Sequence, residues 1–279
     1  MLAIRNLSIA FPGPHGPVRV VDDVSVAVGR GESLGIVGES GSGKSMLSLA
    51  TIGLLPKSAR TSGEILLEGR NILGMSEREL CALRGRRIGM IFQEPMTALN
   101  PAMTAGQQIA EGLRLHREIG RAEAQAEALR LLERVRIPDP ARRIDSYPHE
   151  MSGGQRQRVG IAIALALKPD LLIADEPTTA LDVTVQKEIL DILDELVADL
   201  GLSLILISHD LGVIARSTDR TLVMCRGKAV EEGPTEEVLR RPVAQYTRDL
   251  IAALPRRARA GLGEGNPGGE PHLAAGGAR

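Results

Sequence analysis

Aromatic side chains are nearly absent from this chain of 279 residues, which contains no Trp, two Phe and two Tyr. The four positions are Phe11, Phe92, Tyr147 and Tyr246. Because aromatic residues are so scarce, each of these positions becomes informative for the interpretation of the segment around it.

Cysteine is also scarce, and the two cysteines, Cys81 and Cys225, share no C-x-x-C spacing. Neither a disulfide framework nor a zinc site is therefore expected. This usage is typical of a reducing, intracellular compartment.

An excess of charge and a long apolar run are both missing. The formal net charge of -1 excludes a strongly basic nucleic-acid footprint over the whole chain, so nucleic acid is not expected as a partner. The longest uncharged apolar run, residues 159–167, is far shorter than the roughly 20 residues of a membrane span. Residues 1–5 lack the apolar region of a signal peptide, and we expect a soluble protein with one large α/β core and a smaller lobe.

A glycine-rich loop is the most informative feature that is present. Residues 38–45 read Gly-Glu-Ser-Gly-Ser-Gly-Lys-Ser, fit G-x-x-x-x-G-K-[ST] and follow the apolar run Leu34–Val37. This pattern predicts a phosphate-binding loop whose backbone N–H groups surround phosphates and whose lysine reaches the β- and γ-phosphates. The serine that opens the next helix predicts a Mg²⁺ ligand. The predicted nucleotide-binding residues are Gly38, Ser40, Gly41, Gly43, Lys44 and Ser45.

A second apolar strand, Leu171–Ala174, ends in two adjacent carboxylates. Open α/β sheets bind ligands at the carboxyl ends of their strands. Asp175 is therefore predicted to bind Mg²⁺, and Glu176 to polarise an attacking water. Adjacent carboxylates also occur at ordinary helix starts, so this prediction depends on the phosphate-binding loop in the same chain.

Ser152-Gly153-Gly154-Gln155 precedes an Arg- and Ala-rich helix. A hydroxyl, free N–H groups and a helix dipole at one point favour an anion, which predicts a second anion site. From these four residues alone, simple helix capping is the favoured interpretation.

The order of apolar patterns predicts three structural parts. Residues 2–28 indicate antiparallel strands around a long loop, and residues 95–160 indicate a helical lobe. The strands at 171–174 and 204–207, separated by a helix from about 185 to 200, indicate a parallel sheet. A hairpin is expected to turn at residues 226–228, and Thr235 to cap a short helix. The Gly-rich residues 256–279 are expected to be disordered.

Together these motifs resemble the ATP-binding-cassette (ABC) ATPases, in which Ser152–Gln155 matches the family signature sequence. The resemblance implies a P-loop NTPase (RecA-like) core with a parallel sheet, an N-terminal antiparallel β subdomain and an inserted α-helical subdomain. It also implies roles for four further residues. Gln93 resembles the glutamine that contacts the γ-phosphate and metal, and His209 resembles the switch histidine. Asp182 lies in a segment that resembles the aspartate loop, and Phe11 is at the position of an aromatic residue that stacks on adenine. Core packing is the alternative for Phe11.

Further segments resemble the ATPase subunits of bacterial dipeptide, oligopeptide and nickel importers, and the resemblance extends over about residues 1–255. These segments are 92–101, 147–150, 174–185 and 246–250, together with Glu39 in the loop. An ATPase domain over 1–255 is expected, with a C-terminal extension at about 231–255. Many relatives carry a Cys-containing extension. The corresponding segment here has no Cys, so an iron–sulfur cluster is not expected.

The resemblance implies MgATP hydrolysis that powers a binding-protein-dependent importer at the cytoplasmic face of the bacterial inner membrane. The implied partners are a second ATPase, identical or paralogous, in a head-to-tail dimer, two membrane permease subunits and, indirectly, an extracytoplasmic solute-binding protein. Di- or oligopeptides are the expected cargo, with nickel or a nickel chelate as the alternative. A soluble, non-transport ABC ATPase and a regulatory module without turnover are further alternatives. A soluble ABC ATPase would need a long coiled-coil insertion, which this sequence does not contain. A regulatory module without turnover usually loses the catalytic Glu or His, and both residues are present here.

Overall fold

The N-terminal part forms a four-stranded antiparallel sheet. The computed structural model describes residues 1–93, 98–179 and 181–254. The sheet has the order β2-β1-β4-β5, and alternate apolar residues of its first strand, such as Leu2, Ile4 and Ile9, are buried. The antiparallel pairing predicted for residues 2–28 is confirmed. The strands are β1 (Leu2–Phe11), β2 (Val18–Val28), β4 (Arg60–Leu67) and β5 (Arg70–Asn71).

A six-stranded sheet forms the centre of the molecule, in the order β10-β9-β3-β8-β7-β6. All neighbouring strands are parallel except the pair of β9 and β10, which forms the predicted hairpin around Arg226-Gly227. The strands are β3 (Ser33–Val37), β6 (Ile88–Ile91), β7 (Leu171–Asp175), β8 (Ser203–Ile207), β9 (Arg220–Cys225) and β10 (Lys228–Pro234).

Among the described residues, four helices lie between β6 and β7, so a helical insertion interrupts the parallel sheet as the fold prediction requires. Its exact limits, about 95–160, remain a prediction. These helices are α3 (Ala105–His116), α4 (Arg121–Arg134), α5 (Pro140–Arg143) and α6 (Gly153–Leu165), with a 3-10 turn at Pro148–Glu150. The others are α1 (Lys44–Thr51), α2 (Glu77–Leu83), α7 (Val183–Leu200), α8 (Leu211–Ser217), α9 (Thr235–Arg240) and α10 (Gln245–Ala252).

The central sheet is covered on both faces, because successive strand residues point to opposite sides. In β7, Leu172 and Ala174 join the apolar cluster that contains the helical insertion. Leu171 and Ile173 join the cluster of the antiparallel sheet. All four side chains are fully buried, so the sheet provides a rigid base for the loops at its carboxyl edge.

One local prediction is wrong. Thr235 does not cap α9: it is the first residue of that helix, and its Oγ1 lies 2.8 Å from Thr221 Oγ1 and 3.2 Å from Thr218 Oγ1. The hydroxyl therefore joins a buried group of threonines instead of the helix end.

Across the three described ranges, no helix combines the length and the apolar character that crossing a membrane requires. The predicted disordered tail at 256–279 lies outside the described residues.

Candidate functional site

The predicted site residues follow the carboxyl ends of four parallel strands. The glycine-rich loop follows β3, Glu176 follows β7, His209 follows β8 by two residues, and Gln93 follows β6 by two. Because β3, β8, β7 and β6 are neighbours in the sheet, these segments meet at one edge. The structure therefore brings these four segments together at one edge of the sheet.

The glycines of the loop are required by close backbone packing. A β-carbon at Gly38 would lie 2.1 Å from the carbonyl oxygen of Met224, and one at Gly43 would lie 2.5 Å from that of Val20. Both glycines also adopt positive φ, +151° and +102°. Larger residues would displace the loop from β2 and β9, which support it.

Lys44 is the first residue of α1 and is buried, with an exposed fraction of 5%. Its Nζ donates hydrogen bonds to the carbonyl oxygens of Gly38 (2.7 Å) and Glu39 (2.9 Å), and to Ser42 Oγ (3.3 Å). Burial lowers the pKa of Lys44, and the carboxylates of Glu176 and Asp175 oppose that shift. The ammonium group thus lies inside the loop that is predicted to bind phosphates.

Asp175 ends β7 and faces α1. Its Oδ1 accepts from Ser45 Oγ and its Oδ2 from Ser48 Oγ, both at 3.4 Å. Burial raises the pKa of this carboxyl, and Glu176 adds to the rise, whereas the two serine hydroxyls and Lys44 oppose it. A serine hydroxyl and a carboxylate are therefore adjacent, as the predicted metal site requires.

Glu176 is the point where the separate segments converge. Its Oε2 accepts from Thr179 Oγ1 at 2.8 Å and from Gln93 Nε2 at 3.3 Å, and it lies 3.2 Å from His209 Nδ1. Three of the predicted catalytic residues are thus in direct contact. Their neighbour Lys44 interacts electrostatically with the same carboxylate.

The backbone of Glu176 is also unusual, with φ of +47°. A non-glycine residue in this left-handed region costs on the order of 1–3 kcal/mol and persists only where surrounding contacts fix it. Here the N–H of Glu176 donates to the carbonyl oxygen of Ile207 on β8 at 2.9 Å. The carboxylate is therefore held in place by its backbone as well as by its side-chain partners.

Two predicted binding segments do not join this cluster. Ser152 caps α6, where its Oγ accepts from Gln155 N (3.3 Å) and Gln155 Oε1 accepts from Ser152 N (3.1 Å). Asp182 caps α7 through Val185 N at 3.0 Å. Among the described residues, no hydrogen bond connects 152–155 to 38–45. The two segments are close to each other instead, since a β-carbon at Gly154 would lie 2.7 Å from Val185 Cγ1.

Phe11 lies at the end of β1, is partly buried and packs against the cluster of the antiparallel sheet. Both adenine stacking and core packing therefore remain compatible with its position.

For Phe11→Ala we expect nucleotide affinity to fall by about 1–3 kcal/mol if the ring stacks on adenine. Titration calorimetry with ATP and thermal melting of the same preparation measure the two effects separately. Normal ATP binding combined with a lower melting temperature would assign the ring to the core.

Asp175→Asn is expected to stabilise the nucleotide-free protein at neutral pH. The pKa of Asp175 is raised in the folded state, so the folded protein disfavours the carboxylate above the unfolded pKa. This destabilisation shrinks as the pH falls through the folded pKa of Asp175 and is absent below the unfolded pKa, because the carboxyl group is then protonated in both states. Urea unfolding across acidic and neutral pH should show a gain over wild type at neutral pH that fades in acid. A pH-independent difference would contradict the assignment to the charge.

The sequence interpretation missed Ser48 and Thr179, which contact Asp175 and Glu176. A signal existed for Ser48, because it lies three residues after Ser45 on α1, and that spacing places two helical side chains on one face. Thr179 lies in the turn that follows Glu176, where helical spacing gives no such signal.

Comparison with protein families matches residues 21–179 to the family described as ABC transporter. Among similar proteins, a probable peptide ABC transporter ATP-binding protein of Sinorhizobium fredii is 49% identical over 93% of this chain and 78% of its own. The oligopeptide transport ATP-binding protein of Salmonella typhimurium is 48% identical over 92% and 76%. A peptidoglycan transport ATP-binding protein of Agrobacterium fabrum is 51% identical, over 92% of this chain and 47% of its own.

Similar solved structures include a dimeric ATP-binding cassette, MJ0796, in a post-hydrolysis state bound to ADP and Pi. It is 28% identical, with a TM-score of 0.75 over 84% of this chain and 99% of its own. A second is cbiO1 from Clostridium perfringens, part of a transporter complex, at 28% identity and a TM-score of 0.72 over 93% and 97%. The predicted fold class is confirmed.

Proposed function

The chain belongs to the ABC transporter family, and we propose that it is the ATP-hydrolysing subunit of a binding-protein-dependent importer for di- or oligopeptides. The family predicted from the sequence motifs is thereby confirmed. The observation that carries the proposed hydrolysis is the convergence of Gln93, His209 and Thr179 on Glu176, beside the loop that contains Lys44. That carboxylate can accept a proton from an attacking water while the lysine neutralises phosphate charge.

ATP is the substrate, and its phosphates would lie against the backbone of residues 38–45 and the N-terminus of α1. In the described residues, no group of three or more His, Cys, Asp or Glu side chains could hold a metal alone. Mg²⁺ still fits, because it usually takes one or two protein ligands and completes its coordination with phosphates and water. Ser45 and Asp175 would hold it, with Gln93 nearby. When bound, the ion would neutralise phosphate charge during transfer.

Ser152, Gly153, Gly154 and Gln155 would serve the ATP bound to a second subunit, in a head-to-tail dimer. Two observations support this role. Within the described part of the chain, residues 152–155 make no hydrogen bond to the loop of their own chain, and the similar cassette MJ0796 was solved as a dimer. Asp182, whose neighbours Leu181 and Val185 lie beside Gly153 and Gly154, would line the same interface.

The partners on the membrane side would be two permease subunits, which receive solute from a binding protein, and the chain would lie at the cytoplasmic face of a bacterial membrane. Gln93 contacts Glu176 and lies in the sequence between β6 and the helical insertion. Beyond residues 94–97, which are not described, Gln108 of α3 fixes the chain through Asn100 O (3.1 Å) and Asn100 N (2.9 Å). This path would carry a movement at the γ-phosphate to the surface of the helical lobe.

Peptide cargo is proposed because relatives at 48–49% identity are named for peptide or oligopeptide transport. Nickel or a nickel chelate is the second candidate, since residues that bind ATP never contact the solute.

A deletion strain is expected to lose growth on di- or oligopeptides as the sole amino-acid source while its nickel-dependent urease or hydrogenase activity persists. Growth on peptides measures peptide uptake, and assays of urease or hydrogenase in nickel-limited medium measure nickel uptake. Complementation by the wild-type chain, set against Lys44→Ala, controls for effects on neighbouring genes. Normal peptide use with lost nickel enzymes would overturn the choice of peptide.

A further inference from the structure

Tyr246 connects the C-terminal part of the chain to the phosphate-binding loop. It lies on α10, and its hydroxyl accepts a hydrogen bond of 3.1 Å from the backbone N–H of Glu39, 207 residues away in sequence. The segment 246–250 was notable in the sequence, yet the proposed hydrolysis assigns it no task. The contact with Glu39 suggests a role for this segment at the phosphate-binding loop.

The contact falls on a residue of the loop that is already held from its other side. The carbonyl oxygen of Glu39 accepts from Lys44 Nζ at 2.9 Å, while its N–H donates to Tyr246. Both polar backbone groups of this residue therefore have partners. Tyr246 itself lies outside residues 38–45, and in the described part of the chain its hydroxyl is hydrogen-bonded to that segment at this N–H.

Helix α10 is itself anchored, so the tyrosine has a fixed support. Glu231 on β10 accepts from the N–H groups of Val243 (2.7 Å) and Ala244 (3.1 Å), immediately before the helix. The hairpin that leads into β10 also contacts the loop, because Gly227 N donates to Ser42 O at 3.0 Å. The C-terminal elements thus hold the loop at two points, Glu39 near its start and Ser42 in its middle.

We propose that Tyr246 is a positioning residue for nucleotide binding, whose hydroxyl fixes the orientation of the Glu39 peptide and thereby the start of the phosphate-binding loop. The inference rests on the proposed function. It assigns the C-terminal helix a direct part in ATP affinity without contact between Tyr246 and the phosphates.

The chemistry of the phenol suits this role. Burial raises the pKa of Tyr246, and the Glu39 carboxylate and the neighbouring Cys225 add to the rise, while the N–H of Glu39 opposes it. The hydroxyl therefore remains neutral at physiological pH, and the contact does not depend on pH in that range.

The direct test replaces the hydroxyl alone. Tyr246→Phe is expected to raise the KM for ATP, and the Kd measured by titration calorimetry, roughly threefold to tenfold, the effect of one net hydrogen bond. The kcat at saturating ATP should remain at the wild-type value. The melting temperature without nucleotide should fall by no more than about 2–4 °C, since the same hydrogen bond is present in the nucleotide-free protein. Tyr147→Phe, the only other tyrosine variant that the chain offers, is the matched control and should leave the Kd unchanged.

Unchanged or tighter ATP binding by Tyr246→Phe would overturn the proposal. So would a fall in melting temperature well beyond about 2–4 °C, because the hydroxyl would then act on the fold as a whole rather than on the loop. If the wild-type chain itself failed to bind MgATP, the proposed function would be wrong. Unchanged ATP affinity of Tyr246→Phe would contradict the role of Tyr246 but not the proposed function.

A spectroscopic measurement provides an independent readout. The chain has no Trp, so the Tyr147→Phe protein contains Tyr246 as its single tyrosine. Its fluorescence is expected to change when MgATP is added, because the hydroxyl is bonded to the loop whose charge environment the phosphates alter. Free tyrosine amide at the same nucleotide concentrations corrects for absorption by ATP. Corrected emission that stays constant through saturation would contradict the contact.

Discussion

Glu176→Gln is expected to lower ATP turnover by roughly 100-fold or more while MgATP binding is retained, the scale associated with removal of an acid/base or water-positioning group. Glutamine has nearly the same shape and can still accept from Thr179 Oγ1, the shortest of the contacts to Glu176. The negative charge that polarises water is lost. The substitution therefore separates the chemical step from nucleotide binding.

Phosphate release at saturating MgATP measures the turnover, and equilibrium binding of ATP measures the retained affinity. Glu64→Gln is the matched control, because this glutamate on β4 is exposed and forms a surface ion pair with Arg5 at 3.7 Å. That variant should hydrolyse ATP at the wild-type rate. Hydrolysis by Glu176→Gln within a fewfold of wild type would remove Glu176 from the catalytic role.

The parts of the site that could be predicted from sequence are those in which local spacing determines position. The loop at 38–45 follows an apolar strand and opens a helix, so its geometry is set within a dozen residues. The carboxylates Asp175 and Glu176 end another apolar strand. Since carboxyl ends of parallel strands share one edge, the proximity of loop and carboxylates follows from the pattern alone, and the contact of Ser45 with Asp175 agrees with it.

The remaining contacts depend on tertiary structure that spacing does not encode. Gln93 and His209 lie 83 and 33 residues from Glu176, and only family resemblance suggested that they belong together. The positive φ of Glu176 and its bond to Ile207 O likewise depend on how β7 and β8 pack. Tyr246 gave no local signal of its contact with Glu39, because no periodicity connects residues so distant in sequence.

The role of Ser152 can be determined neither from the sequence nor from the structure of a single chain. Its sequence context suggested both an anion site and a helix cap, and within one chain its hydroxyl has the geometry of the cap. The choice between the two depends on whether a second subunit brings its own phosphate-binding loop to α6. That question can be decided only by an experiment that involves two chains.

Dimers that carry Lys44→Ala in one chain and Ser152→Ala in the other are expected to retain one intact ATP site. Dimers that carry both changes in the same chain should retain none. In a head-to-tail sandwich, each site combines the loop of one chain with the signature residues of the other. With the changes in different chains, both defects fall on the same site and the second site is unaltered. With both in one chain, each site has one defect. Copies with different affinity tags, co-expressed and purified in two steps, give the two arrangements, and ATP-dependent association and hydrolysis are measured for each.

The cap itself must be controlled, since loss of an N-cap serine costs about 1 kcal/mol of helix stability by itself. Ser76 provides the match: it caps α2 through the same reciprocal pattern with Glu79, remote from any predicted ATP contact. The two dimer arrangements are therefore repeated with Ser76→Ala in place of Ser152→Ala. They should then have equal activity, because the signature residues are intact whichever chain carries Lys44→Ala. Equal association and equal activity of the two Ser152→Ala arrangements would remove the support for the sandwich, and Ser152 would then be assigned to the helix cap alone.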